Sequence, residues 1–138
     1  EDRTQTALYE GSDHRYQRLI SFMVKITFFK RDGVYYGFRE TGHAEFEDAG
    51  KDIVCAAVSA MTMLVINAIE VSYASDVEYS IDEDTADIEV RAYGALPGNS
   101  EDFAKQYAIS GLIQAYYLQL VDMLEDYDEY LDVTEAED

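Results

Sequence analysis

Few residues in this chain are suited to nucleophilic or acid–base chemistry: it has one cysteine, Cys55, and two histidines, His14 and His43. A thiolate paired with an imidazole can attack a peptide carbonyl and then protonate the leaving amine. The zinc-ligand spacings HxxxH and CxxC are absent, as are a glycine-rich phosphate loop and a GxSxG elbow. The sequence therefore predicts no metal site and no cofactor, and it leaves thiol chemistry as the candidate.

Cys55 lies near the start of an apolar run that predicts a helix from Ile53 to about Val71, with Asp52 as its N-cap. This places Cys55 in the first helical turn, where the helix dipole and the unpaired amides favour a thiolate. The same amides can receive an oxyanion. The alternative is that Cys55 is only a small buried hydrophobe and that Asp52 is only a cap.

A polar stripe marks this predicted helix, because Asp52, Cys55, Ser59 and Thr62 share one face on a 3.6-residue period. A stripe this narrow on an apolar helix predicts that it faces a cleft or a partner group. For Ser59 alone, the alternative is a hydroxyl that bonds back to a helix carbonyl.

His43 follows a predicted strand, so a short connection can bring its imidazole close to Cys55. We expect this connection to be a mobile substrate loop, with Gly50 as its pivot. The loop comprises Glu45, Phe46, Glu47, Asp48, Ala49 and Gly50.

The elements that must position these residues follow the order ββαββα. We predict strands over 24–31, from 34 toward His43, over 73–81 and over 86–93, and a second helix capped by Asn99 or Ser100 that ends near Tyr127. This order is typical of a small single α+β domain, with a mostly antiparallel sheet packed against two helices.

The chain divides into three parts. Residues 1–22 show no sustained period, and we expect an N-terminal extension or an artificial addition before a domain over 23–130. Residues 131–138 form an acidic tail, since no Lys or Arg follows Lys105. We expect the tail to be a solvated, fraying helix end.

The chain is strongly acidic, with 10 Lys and Arg residues against 29 Asp and Glu residues and a net charge of −19. This charge excludes a broad basic surface for nucleic acid and disfavours anionic membranes. It favours a basic partner. The longest apolar stretch, from Ile53 to Ile69, is short for a membrane span and predicts a buried helix, so we expect a cytoplasmic protein.

A family resemblance sharpens these expectations. Gly42-His43-Ala44, followed by the run from Gly50 through Cys55 to Ser59, resembles the signature of the ribosomal-processing cysteine proteases. The resemblance implies a bacterial cytoplasmic endopeptidase, usually a homodimer, that removes an N-terminal extension from large-subunit ribosomal protein number twenty-seven. It further implies Cys55 as the nucleophile, His43 as the base, and Asp52 and Ser59 as supporting residues.

The sequence departs from the family pattern in residues 1–22, in the long acidic tail, and at Glu47, where a small residue is common. A competing hypothesis keeps the fold and the charge but not the chemistry. In that hypothesis the chain is a non-enzymatic binding or assembly factor for a basic ribosomal protein, and Cys55 is merely packed. The two hypotheses differ in whether the folded thiol reacts with iodoacetamide.

Overall fold

The computed structural model describes residues 23–42, 49–99 and 102–138, which form one mixed sheet and two long helices. The strands are β1 (Val24–Arg31), β2 (Val34–Thr41), β3 (Glu78–Ile81), β4 (Ile88–Arg91) and β5 (Leu131–Glu137). Their order across the sheet is β3-β4-β2-β1-β5. The helices are α1 (Ala49–Asn67), which continues as a π-helical turn over Ala68–Ser72, and α2 (Phe103–Tyr127). The predicted α+β class is confirmed.

Strands β1 and β2 form the hairpin that the sequence predicts. Asp32 and Gly33 both have positive φ, 52° and 79°, the pair of left-handed residues that a tight two-residue hairpin turn requires. Alternate residues of β1, Val24, Ile26 and Phe28, are completely buried. They point toward the helices because side chains alternate between the two faces of a strand.

The core lies between the sheet and the two helices. The Phe28 and Phe38 rings of the sheet contact the Tyr116 ring of α2, with centroids 5.5 and 5.1 Å apart. Thr62 of α1 and Glu40 of β2 are hydrogen-bonded in the same layer. Each helix thus buries one face against the sheet, as expected for a two-layer α+β domain.

The acidic segment after Tyr127 is a strand, so the expectation of a fraying helix end is wrong. β5 pairs in parallel with β1, from Val24 opposite Leu131 to Lys30 opposite Glu137. Two carboxylates, of Glu135 in β5 and of Asp138 directly after it, form ion pairs with Lys30 and Arg31 of β1. Because these partners lie about a hundred residues earlier in the chain, local sequence patterns cannot indicate them.

Both helices differ from the prediction at their starts. α1 begins at Ala49 rather than after Asp52, and α2 is capped by Asp102, whose side chain accepts a hydrogen bond from the Lys105 amide at 2.9 Å. The predicted cap Asn99 lies in the preceding loop, and Ser100 lies outside the described residues. The end of α2 at Tyr127 agrees with the prediction.

The segment Ala49–Ser72 is long and apolar enough to cross a membrane by length and composition, with a mean hydropathy of 1.9 over an 18-residue window. Core helices of globular domains meet the same criterion, and 39% of the residues in this window are buried inside the domain. The buried residues of α1, which include Val54, Val58 and Val65, belong to the main core. The segment therefore forms one wall of that core, as the sequence predicts.

Candidate active site

Cys55 lies in the second turn of α1, not in the first. Because α1 begins at Ala49, Cys55 is its seventh residue, and its amide donates within the helix. The Cys55 amide is therefore not one of the unpaired amides at the start of α1. The N–H groups at the start of a helix are those of its first four residues, which in α1 are Ala49 to Asp52.

The Cys55 thiol is enclosed by protein. It is 5% exposed and belongs to the main core cluster. Burial raises the pKa of Cys55, the nearby charge of Lys51 lowers it, and the charge of Asp52 raises it. Desolvation outweighs the lowering by Lys51, so the expected thiolate-favouring environment is not what these residues alone provide.

Lys51 is fully buried, at 0% exposure, in the turn that precedes Cys55. The Tyr130 ring packs directly against Gly50, the residue before Lys51, and a Cβ at Gly50 would overlap the ring. Gly50 therefore serves close packing inside the first turn of α1, and the prediction that it is a loop pivot is wrong. Ala49 also lies in this helix rather than in a loop.

The predicted polar stripe divides between two environments. Asp52 and Ser59 are exposed, whereas Cys55 and Thr62 are buried. Asp52 lies inside the first turn of α1, where a carboxylate favours the positive end of the helix dipole, but it is not the N-cap. The structure thus brings Cys55 and Thr62 to the core and leaves Asp52 and Ser59 facing solvent.

The connection from β2 to α1 carries His43. Residues 43–48, which include His43, Glu45, Phe46, Glu47 and Asp48, lie outside the described residues. The chain is firmly placed just before them, since Gly42 has φ 92° and a Cβ there would overlap the Met23 carbonyl oxygen. After them the described chain resumes at Ala49, the first residue of α1.

A buried carboxylate, Glu40 of β2, is a feature that sequence reasoning missed. It is 0% exposed and accepts hydrogen bonds from the hydroxyl of Thr62 and from that of Tyr116, the latter at 2.9 Å. Burial, together with the Glu40 charge, raises the pKa of Tyr116 well above its usual range. The available signal was the strand period, which puts Glu40 on the same inward face as Phe38.

A metal centre finds no support in the part of the chain that the structure describes. There, no three His, Cys, Asp or Glu side chains lie close enough together to hold an ion. The group suited to covalent chemistry in this part is the single thiol of Cys55.

An α+β domain with one enclosed cysteine on α1, and a histidine in the chain segment before this helix, points to the class of cysteine peptidases. The family model for cysteine protease Prp matches residues 23–132. The ribosomal processing cysteine protease Prp of Bacillus subtilis is 33% identical over 97 residues, which are 70% of this chain and 82% of that relative. The chain belongs to the cysteine protease Prp family and is a cysteine protease.

Solved structures share the fold. A Streptococcus mutans protein is 28% identical with a TM-score of 0.68, and the match covers 84% of this chain and 99% of that one. The essential ribosomal processing protease Prp from S. aureus, solved with a substrate peptide, has a TM-score of 0.68 at 20% identity. That match covers 83% of this chain and 100% of the S. aureus chain.

Proposed function

We propose that this chain is an endopeptidase that removes the N-terminal extension of large-subunit ribosomal protein number twenty-seven through a Cys55–His43 dyad. The observation that carries the proposal is the seating of Cys55, on the core side of α1, directly after the connection that holds His43. The names of the Bacillus subtilis and S. aureus relatives, which are ribosomal processing proteases, support the substrate class.

The proposed reaction uses the Cys55 thiol and the His43 imidazole. His43 takes the proton of the Cys55 thiol, and the thiolate attacks the scissile carbonyl to form a tetrahedral intermediate. His43 then donates that proton to the leaving amine as the C–N bond breaks, which leaves a thioester on Cys55. Water, deprotonated by His43, hydrolyses the thioester and regenerates the thiol.

The supporting residues take narrower roles in this proposal. Asp52 orients His43 or favours the helix start electrostatically, and Ser59 lies one turn after Cys55 on the exposed side. The oxyanion donors lie N-terminal to Cys55, among the first amides of α1, because the Cys55 amide is used within the helix. The substrate loop comprises residues 45–48, together with the helix start at Ala49 and Gly50.

The charge of the chain supports a basic substrate. A net charge of −19 attracts a positively charged ribosomal protein over distances of about a Debye length, roughly 10 Å at 0.1 M salt. Added salt is therefore expected to lower kcat/KM for a basic peptide while a neutral peptide of equal length is unaffected. Equal salt responses for the two peptides would remove the electrostatic part of the proposal. A cytoplasmic location is part of the same proposal.

The test is cleavage of a peptide that spans the N-terminal extension of the ribosomal protein. We expect the native chain to cut it, and Cys55→Ala, Cys55→Ser and His43→Ala to lose activity. Val65→Ala, a buried substitution on the same helix, and His14→Ala, at the other histidine, serve as matched controls that retain it. Cleavage by Cys55→Ala would refute the dyad. An uncut peptide, with a folded native chain whose Cys55 resists iodoacetamide, would favour the binding-factor alternative.

A homodimer is also part of the proposal, with the second copy seated on the outer face of α1. Large apolar side chains stand exposed along this helix and its π-helical turn: Ile53, Met63, Leu64 and Val71. An exposed apolar row of this kind is typical of a protein interface.

A further inference from the structure

The buried pair Lys51 and Cys55 lies on one face of α1. The two residues are four apart, a spacing at which helical side chains are neighbours with Cβ atoms about 5–6 Å apart. Lys51 is 0% exposed and Cys55 is 5% exposed, so both point into the domain. The Cα–Cβ bonds of a helix tilt toward its N-terminus, which directs the Cys55 side chain toward the turn that carries Lys51.

At the start of α1, the Tyr130 ring packs against the residue before Lys51. The Tyr130 ring lies against Gly50 at van der Waals distance or closer, and Tyr130 also anchors β1 through its carbonyl, which accepts from the Val24 amide at 2.7 Å. The ammonium of Lys51 is therefore held away from bulk water. A positive charge in such a place acts on its neighbours more strongly than an exposed charge does.

We propose that Lys51 is a positioning residue whose buried ammonium group stabilises the thiolate that forms on Cys55 when His43 takes its proton for peptide-bond cleavage. The proposal rests on Cys55 being the nucleophile of the proposed function. The proton that leaves the Cys55 sulfur goes to His43 in the enzyme reaction, or to a buffer base when the thiol is alkylated. Lys51 takes no proton and forms no covalent bond in the reaction; its charge lowers the energy of the anion.

Other charged or titratable groups lie on α1 or contact it. On α1, the Lys51 charge lowers the pKa of Cys55, and the exposed Asp52 raises it. Three residues from other elements contact α1. Glu40 and Tyr116 are hydrogen-bonded to Thr62, and the Tyr130 ring packs against Gly50. His43 lies outside the described residues. Burial has the largest effect on the pKa of the thiol and opposes its ionisation. A neighbouring cation offsets part of this effect.

The test measures the rate of iodoacetamide alkylation against pH on the full chain, where Cys55 is the single cysteine. Lys51→Met is expected to move the midpoint upward by about one pH unit, a loss of roughly tenfold in alkylation rate below the midpoint. Lys51→Arg is expected to keep the native midpoint, and Asp52→Asn to move it downward. A packing role for Lys51 would leave the midpoints of the native chain, Lys51→Met and Lys51→Arg equal.

The outcomes separate this proposal from the proposed function, because alkylation needs no substrate. A native midpoint in folded Lys51→Met, or in Lys51→Gln if the Met variant does not fold, overturns the role of Lys51 even if the peptide is cleaved. If neither neutral variant folds while Lys51→Arg does, the charge serves the fold and the proposal is rejected. A raised midpoint supports Lys51 even if the chosen peptide is not cut.

Discussion

At the scale of single residues, several polar groups are buried in the core of the domain. Glu40 from β2, Thr62 from α1 and Tyr116 from α2 meet in one hydrogen-bonded cluster and join three elements. A buried carboxylate is tolerated only where donors satisfy it. The cluster therefore fixes the height of α1, and with it Cys55, relative to the sheet.

Removal of one donor from this cluster is expected to destabilise the domain. Tyr116→Phe leaves the Glu40 carboxylate without its 2.9 Å hydrogen bond, and we expect the free energy of unfolding to fall by about 1–3 kcal/mol. Urea unfolding measures the loss. Tyr107→Phe, on the same helix but 79% exposed, is the matched control and is expected to change stability by less than about 0.5 kcal/mol. Equal losses in the two variants would contradict a structural role for the hydroxyl.

Individual residues also show which features of the site can be predicted from the sequence. The motif around His43 and Cys55 was sufficient to assign the family, because it is defined by local order and spacing. The burial of Lys51 was not predictable, since lysine is mostly exposed, and the burial of Glu40 was missed although the strand period places it on the inward face of β2. Their environments are made by α2 and Tyr130, which lie far away in the chain.

At the scale of elements, the sequence predicted β1 and its turn correctly but did not predict the start of α1 or the strand β5. β1 and the Asp32-Gly33 turn follow from alternation and turn chemistry. The start of α1 was misplaced because Ala49-Gly50-Lys51 contains a glycine, which has low helix propensity. Contact with Tyr130 overrides that propensity. β5 was missed because its many carboxylates are typical of a solvated tail.

The Gly50–Tyr130 contact makes a specific prediction for α1. Gly50→Ala places a Cβ within the Tyr130 ring, so it is expected to cost about 1–3 kcal/mol despite the better helix propensity of alanine. The cost is expected to shrink in a Tyr130→Ala background, which a double-mutant cycle by urea unfolding measures. Gly111→Ala, in α2 with open space around it, is the control and is expected to stabilise by up to about 1 kcal/mol. A stabilising Gly50→Ala would refute the contact.

The attachment of β5 is expected to depend on pH. The Tyr35 hydroxyl donates to Glu135, and this bond, aided by Lys30, lowers the pKa of Glu135 below its ordinary value of 4.5. A carboxyl group with a lowered folded pKa stabilises the fold above its unfolded pKa, and the contribution is lost as the pH falls through the folded pKa. Tyr35→Phe is therefore expected to destabilise the chain near neutral pH, and this deficit is expected to shrink below pH 4.5.

Urea unfolding of the native chain and of Tyr35→Phe, from neutral pH to about pH 3, measures this difference. Tyr79→Phe, at an exposed tyrosine of β3, is the control and is expected to match the native chain at every pH. A deficit for Tyr35→Phe that does not change with pH would show that the hydroxyl stabilises β5 by packing rather than through the Glu135 charge.

At the scale of the whole molecule, two properties oppose each other. A net charge of −19 repels a second copy, while the exposed apolar row on α1 attracts one. Salt screens the repulsion but not the apolar contact. Salt is therefore expected to strengthen a homodimer while it weakens the capture of a basic substrate.

A charge on the outer face of α1 is expected to break the proposed homodimer. Leu64 is 62% exposed, and Leu64→Glu adds a carboxylate where the second copy would bury an apolar side chain. Light scattering after size exclusion is expected to give a dimer for the native chain and a monomer for Leu64→Glu. Tyr79→Glu on β3 is the matched control and is expected to remain dimeric. A monomeric native chain at all salt concentrations would refute the interface.

The pairing of β5 with β1 has a consequence for the order in which the domain forms. Lys30 of β1 lies opposite Glu137, so the sheet joins residues separated by almost the whole described chain. On a ribosome, β1 and its hairpin emerge early, yet the β1 edge stays open until residues 131–137 are released. Long-range pairing of this kind slows folding, because the intervening chain must be closed into a loop before the contact forms. The β1 edge is thus the part of the nascent domain that must wait longest for its partner.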